Sequence, residues 1–155
     1  MNSIEFRFKK RSEDWRFDEV RVVIDGRDLV DPLREHEAPF AEAEGSPSIA
    51  GAYSGLSPRD VLLPSRHLYG EPELLFAYDR KAEVLSCAHC GQPGCWPLVC
   101  EIVVTDQTVT WQLFEQLRRT GEEGGPVWRY EDFGPFRFDR RRYDGALSLL
   151  SECAI

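Results

Sequence analysis

Four of the chain's five cysteines lie close together, in Cys87-Ala-His-Cys90-Gly-Gln-Pro-Gly-Cys95-Trp-Pro-Leu-Val-Cys100. The spacing is Cys-x2-Cys-x4-Cys-x4-Cys. A Cys-x2-Cys turn aims two thiolates at one point, and the backbone amides that follow can donate to sulfur. Gly91, directly after the second cysteine, allows the positive φ that such a turn requires. Structural zinc takes four ligands of this kind in tetrahedral geometry. Cys87, Cys90, Cys95 and Cys100 are therefore the candidate metal ligands, with zinc as the expected cofactor. The fourth position has alternatives. Cys100 opens an apolar run and shares a face with Ile102 and Val104, as a plain buried cysteine would. His89 is a second candidate for that position. Three thiolates with an open fourth position would be the geometry of a catalytic zinc. A Cys-x2-Cys pair also suits thiol–disulfide exchange. In thioredoxin-like sites, however, a helix follows the motif, and Gly-Gln-Pro-Gly does not start one.

Other candidates are weaker. His67 lies in a turn-rich stretch and could pair with a thiol as a catalytic base, although an ordinary structural role is the simpler reading. His36 falls in an acidic segment and reads as surface. Glu35, Glu37, Glu42 and Glu44 read as a solvated acidic face, or as a docking surface for a basic protein partner. They lack the oxygen-ligand spacing and turn glycine of a calcium loop. No phosphate loop, Gly-x-Gly-x-x-Gly or Gly-x-Ser-x-Gly is present.

Charge and composition narrow the classes. The 155 residues carry a formal net charge of -8, which repels phosphate backbones and makes nucleic acid an unlikely partner. Lys9-Lys10-Arg11, Arg118-Arg119 and Arg140-Arg141-Arg142 are short basic runs that read as solvated surface. The first residues have no apolar core of the signal-peptide type, and no stretch approaches the roughly 20 apolar residues of a membrane span. These features lead to the expectation of a cytoplasmic protein without a membrane anchor. In that reducing compartment, clustered cysteines bind metal or do redox work more often than they form structural disulfides. An odd cysteine count also excludes a fully paired framework.

The elements that would position the cysteines are mostly strands. Ile4, Phe6 and Phe8 alternate with charged residues, and Trp15, Phe17, Val20, Val22 and Ile24 repeat the pattern after a turn at 12–14. Asp25-Gly26 signals a hairpin. Asp31-Pro32 predicts a short helix reaching about residue 38 and limited by Pro39. The small-residue stretch 45–55 predicts an ordered loop pinned by Ile49, Tyr53 and Leu56. Ser57-Pro58-Arg59-Asp60 starts a helix of a turn or two. Residues 74–78 and 82–86 read as strands joined by 79–81. Residues 98–105 form the strongest strand, and 108–111 return from a turn at 106–107. From 114 to 119 the period is ambiguous. Trp128 and Tyr130 alternate, 136–138 resume a strand, and the aromatics Trp128, Tyr130, Phe133, Phe136 and Phe138 are expected in the core. Asp139 caps a C-terminal helix with Tyr143, Ala146, Leu147, Leu150 and Cys153 on one face. The expected fold is a single α+β domain over 1–155. It has a dominant antiparallel sheet, two short helices in the first half and one amphipathic helix at the C-terminus.

Two resemblances bear on the cysteine loop. Its spacing resembles the zinc knuckle of retroviral nucleocapsids, Cys-x2-Cys-x4-His-x4-Cys, with Gly91 and Gly94 at the matching glycines. Cys95 replaces the knuckle's His, and Ala88 replaces the aromatic after the first ligand. The resemblance therefore implies ligand geometry and not nucleic-acid binding. More broadly, Cys90-Gly-Gln-Pro-Gly-Cys95-Trp-Pro, together with segments 51–56, 105–111 and 133–139, resembles a family of small uncharacterised bacterial proteins. That family is marked by a Cys-Gly-x-x-Gly-Cys-Trp-Pro signature, and the resemblance implies no activity. The expected function is a non-enzymatic binding or accessory role built on a small zinc site. A thiol redox or metal-dependent enzyme is the alternative.

Overall fold

Alternating apolar residues at the N-terminus give β1 (Ile4–Lys9), which pairs antiparallel with β2 (Glu19–Ile24) in the register Phe6↔Val22. The Asp25-Gly26 turn then returns the chain into β3 (Arg27–Asp28). Asp25 and Gly26 have φ of 52° and 81°, the pair of positive angles that a type I′ hairpin turn demands. A computed structural model of the chain describes residues 1–13, 17–72, 77–78 and 80–154, with the backbone alone at 77–78. Trp15 of the expected second alternation lies outside these residues, as do position 14 of the turn, most of the 74–78 run and position 79 of its link.

Helix α1 (Val30–Ala43) is longer than the sequence pattern predicts. Asp31 does not cap it. Instead the Asp28 carboxylate accepts from the Val30 amide at 3.0 Å. Pro39 does not end it either and lies inside the helix. Proline forfeits one backbone hydrogen bond, but Leu33, Glu37 and Ala41 are buried on one face to either side of it. Beyond it come a 3-10 turn at Pro47–Ile49, the two-residue strand β4 (Tyr53–Ser54) and the short helix α2 (Pro58–Val61). Buried Tyr53 and Leu56 and partly buried Ile49 hold this connection to the core.

The larger sheet is antiparallel. It contains β4, β5 (Ala77–Tyr78), β6 (Lys81–Cys87), β7 (Leu98–Val104), β8 (Thr108–Gln116) and β9 (Phe136–Asp139). Its order is β4-β6-β7-β8-β9, with β5 also paired to β6. The ambiguous stretch after Trp111 continues β8 as far as Gln116. Trp128 and Tyr130 are buried but join no strand. Trp128 Nε1 donates to Glu44, just past the end of α1, at 2.7 Å, and the Tyr130 hydroxyl to Glu37 of α1 at 2.6 Å, so these side chains are tied to α1 and its C-terminal end.

Helix α3 (Arg140–Cys153) starts at Asp139, whose carboxylate accepts from the Arg142 amide. It buries Tyr143, Leu147 and Leu150, while Cys153 is exposed. Tyr143 donates to the Leu68 carbonyl and accepts from Trp111 Nε1 at 3.1 Å. Its ring meets Phe6 edge-on at 5.8 Å. One hydrophobic cluster runs from β1 and β2 through the larger sheet to α3. The α+β class with antiparallel sheets and a C-terminal helix is as the sequence predicts, apart from the length of α1.

Candidate metal centre

The cysteine cluster forms the connection between β6 and β7. Cys87 is the last residue of β6, buried to 5% exposure, and Cys90 and Cys95 are exposed on the loop. The three sulfur atoms lie within 4.8 Å of one another. Tetrahedral zinc with Zn–S bonds of about 2.3 Å needs sulfurs about 3.8 Å apart, so ligation requires shifts of at most roughly 1 Å. The donor set is all sulfur, which suits a thiophilic ion and not a hard cation. With such a shift the three sulfurs could hold a metal ion.

The loop's shape follows from its sequence. Gly91 has φ of 64°, and a Cβ added there would meet the Phe17 ring at 3.0 Å. Its amide donates back to the Cys87 carbonyl at 2.9 Å, closing the Cys-x2-Cys turn. Gly94 also has positive φ, at 79°, and carries the chain into Cys95. The Ser54 hydroxyl donates to the same Cys87 carbonyl at 2.9 Å, which fastens the base of the loop to β4.

Two residues outside the cluster hold it in place. Glu83, on β6 and 1% exposed, accepts from the Gly94 amide at 2.9 Å and from the Ser86 hydroxyl at 2.6 Å. Arg118, just after β8, donates to the Gly94 carbonyl, and to the Cys95 carbonyl at 3.4 Å. The sequence contained a signal for Glu83, a carboxylate in the apolar run Ala82–Leu85. A charge seldom occupies such a position without a bonding task. Nothing marked Arg118 as more than part of a surface pair.

Electrostatics single out Cys87. Burial raises its thiol, but the amides of Cys90 and His89 and the thiols of Cys95 and Cys90 outweigh that effect and hold it below the ordinary range. Cys95 moves the other way, pushed up to about 12, because it shares hydrogen bonds with the Cys90 and Cys87 sulfurs. The thiol protons of Cys87 and Cys95 are thus held unequally, in opposite directions from the ordinary value. A bound cation would favour losing all of them, because ligands must be deprotonated to bind.

Cys100 does not join the set, which corrects the four-cysteine expectation. It faces Ala82 across the sheet, is fully buried, and belongs to the hydrophobic cluster. The strand's pleat sends its side chain into the core, where burial raises its thiol well above the usual value. His89 is exposed and outside the trio. Among the described residues, no fourth Cys, His, Asp or Glu donor lies within the same radius. His67 is 2% exposed, and its Nε2 is engaged with the Glu83 carbonyl at 2.8 Å. It lines a small space with Glu83, Ser86, Gly91 and Pro93 beneath the loop. His36 is half-buried, its Nε2 2.7 Å from the Arg129 carbonyl.

The acidic segment is not wholly a solvated face. Glu35 and Glu42 are exposed, but Glu37 is fully buried and accepts from the Gly51 amide, Tyr53 and Tyr130. Glu44 binds Arg119 through both carboxylate oxygens. Among the described residues, no helix is long and apolar enough to cross a membrane. No family model, curated protein or solved structure was found to match the chain, so the thiol trio and its supports are the ground on which a function can be argued.

Proposed function

We propose that the protein binds a metal ion through the thiolates of Cys87, Cys90 and Cys95, and that the ion is zinc. The observation that carries this reading is the approach of three sulfur atoms to within 4.8 Å on a loop anchored from outside by Glu83 and Arg118. Thiolate sets select zinc and Cu(I) over magnesium or calcium. Zinc lacks redox chemistry of its own and suits a reducing, cytoplasmic setting. The role is that of a non-enzymatic binding or accessory protein in which the metal ties the β6–β7 connection. A basic protein is the partner that the net charge of -8 favours, with exposed Glu35 and Glu42 available to it.

Elemental analysis tests the metal directly. Protein purified under reducing conditions and offered zinc should retain one equivalent, and Cys90→Ser should lose it. Fully reduced, folded protein that retains no zinc would remove the proposal. Thiol redox is the second reading, favoured by the Cys87 thiol being held below its ordinary range. It predicts that Cys90→Ser keeps stability and metal content but abolishes dithiol-dependent reduction of a disulfide substrate.

A further inference from the structure

Three protein sulfurs leave tetrahedral zinc one position short, and what fills that position follows from how the loop is held. The inference rests on the metal reading above. Closed structural sites take four protein donors. Cys100 is fully buried in the core, and no other described Cys, His, Asp or Glu donor joins the trio. Nor does His89 supply one where it stands, and the loop is fastened at several points. Its base is bonded to Ser54, its Gly94 amide to Glu83 and its Gly94 and Cys95 carbonyls to Arg118. Cys90 and Cys95 are exposed, so the trio is open to solvent on their side.

We propose that the metal takes its fourth ligand from solution, and that the ligand class is a small thiol. An all-sulfur site favours a further soft donor over a carboxylate or water. Three thiolates and a divalent ion total one negative charge, and a fourth thiolate makes two. The Arg118 guanidinium, bonded to the Gly94 and Cys95 carbonyls, provides compensating positive charge beside the site. The exchange is balanced without an oxidant. Water leaves the metal, the thiol's S–H bond breaks as the metal–sulfur bond forms, the proton goes to solvent, and no electron is transferred.

Cobalt(II) in place of zinc provides a spectroscopic test, with a phosphine keeping the cysteines reduced. One equivalent of Co2+ is added to the full chain, and 2-mercaptoethanol is then titrated in. The expected result is a saturable rise of roughly one third in sulfur-to-cobalt charge-transfer absorbance, as three sulfur ligands become four. The Cys100→Ala, Cys153→Ser and His89→Ala variants should show the same rise. If cobalt binds with a spectrum that added thiol does not alter, the site is already closed and the inference falls. It falls equally if cobalt loading doubles the sedimenting mass, because the fourth donor then comes from a second copy. If wild type shows no cobalt absorbance beyond that of a Cys90→Ser/Cys95→Ser control, the metal reading itself has failed, a result distinct from either of the others.

Discussion

At the scale of single residues, cysteines of one type are divided by their surroundings. Cys87, Cys90 and Cys95 converge, whereas Cys100 fills space between the sheet and its covering elements. Replacing Cys100 with Ala should therefore lower stability by about 1–2 kcal/mol through the small void it leaves, with zinc content unchanged. Urea denaturation and elemental analysis on the same sample check both halves. Cys95→Ser should do the reverse, leaving the midpoint of the zinc-free protein nearly unmoved while zinc retention is lost. Glu37 gives a pH prediction. Burial raises its carboxyl above the ordinary value of 4.5, against the opposing effect of its hydrogen bonds from Tyr130, Tyr53 and the Gly51 amide. The folded state thus holds this proton more tightly than the unfolded state does. The group's contribution is complete below pH 4.5 and is lost as pH rises through the folded-state pKa. Glu37→Gln cannot titrate. The stability advantage of wild type over this variant should therefore shrink from pH 4 upward, by about 1.4 kcal/mol for each unit by which the pKa is raised. A parallel pair of denaturation curves at each pH would reveal a flat difference if the carboxyl titrates normally.

At the scale of elements, strands were legible where apolar residues alternate along the sequence, whether one face alone is buried, as in β1, or nearly every residue, as in β2. β1 and β2 read directly from their alternation, and Asp25-Gly26 fixed the turn after β2, because positive φ at two successive positions admits few residue pairs. The β6 strand is different. Its residues from Ala82 to Cys87 are all buried and no alternation marks it, and Glu83 within it looks misplaced until the Gly94 amide is seen to need a carboxylate. Pro39 misled for a related reason. Local preference ends a helix there, yet the buried bonds of Glu37 hold α1 together across it, and these depend on Tyr53 and Tyr130, far along the chain. The same long-range logic explains why the spacing of Cys100 suggested a ligand. Spacing records distance along the chain, while the pleat decides which face a side chain takes. Glu83→Ala should leave the strand order intact but free the Gly94 amide and Ser86. Outer-shell groups of this kind cost 10–100-fold in metal affinity when removed, a range that corresponds to roughly 1.4–2.7 kcal/mol. Competition for zinc against a colorimetric chelator measures the change directly, and an affinity equal to wild type would mean that Glu83 serves the strand alone.

For the molecule as a whole, the separation of loop from core decides what metal removal can do. The hydrophobic cluster joins both sheets to α3 and includes Cys100, but none of Cys87, Cys90 or Cys95. A chain of 155 residues can bury enough apolar surface to fold without a metal. Zinc is therefore expected to stabilise by mass action and not to create the fold. At a free concentration 100 times its dissociation constant it would add about 2.7 kcal/mol, or roughly 5–11 °C in Tm for a domain of this size. Chelation should lower the melting temperature by that order while the near-ultraviolet signal of buried Trp111 and Tyr143 persists at 25 °C. Local opening should be confined to the loop, because strength differs between regions of one fold. The amides of Gly91, Gly94 and Cys95, bonded to the Cys87 carbonyl, Glu83 and the Gln92 carbonyl, would exchange faster without zinc. Those of β7 and β8, paired with each other along most of their length, would not. Hydrogen exchange on zinc-loaded and chelated protein separates this outcome from its opposite, since faster exchange spread across β7 and β8 would make the thiol loop part of what holds the larger sheet together.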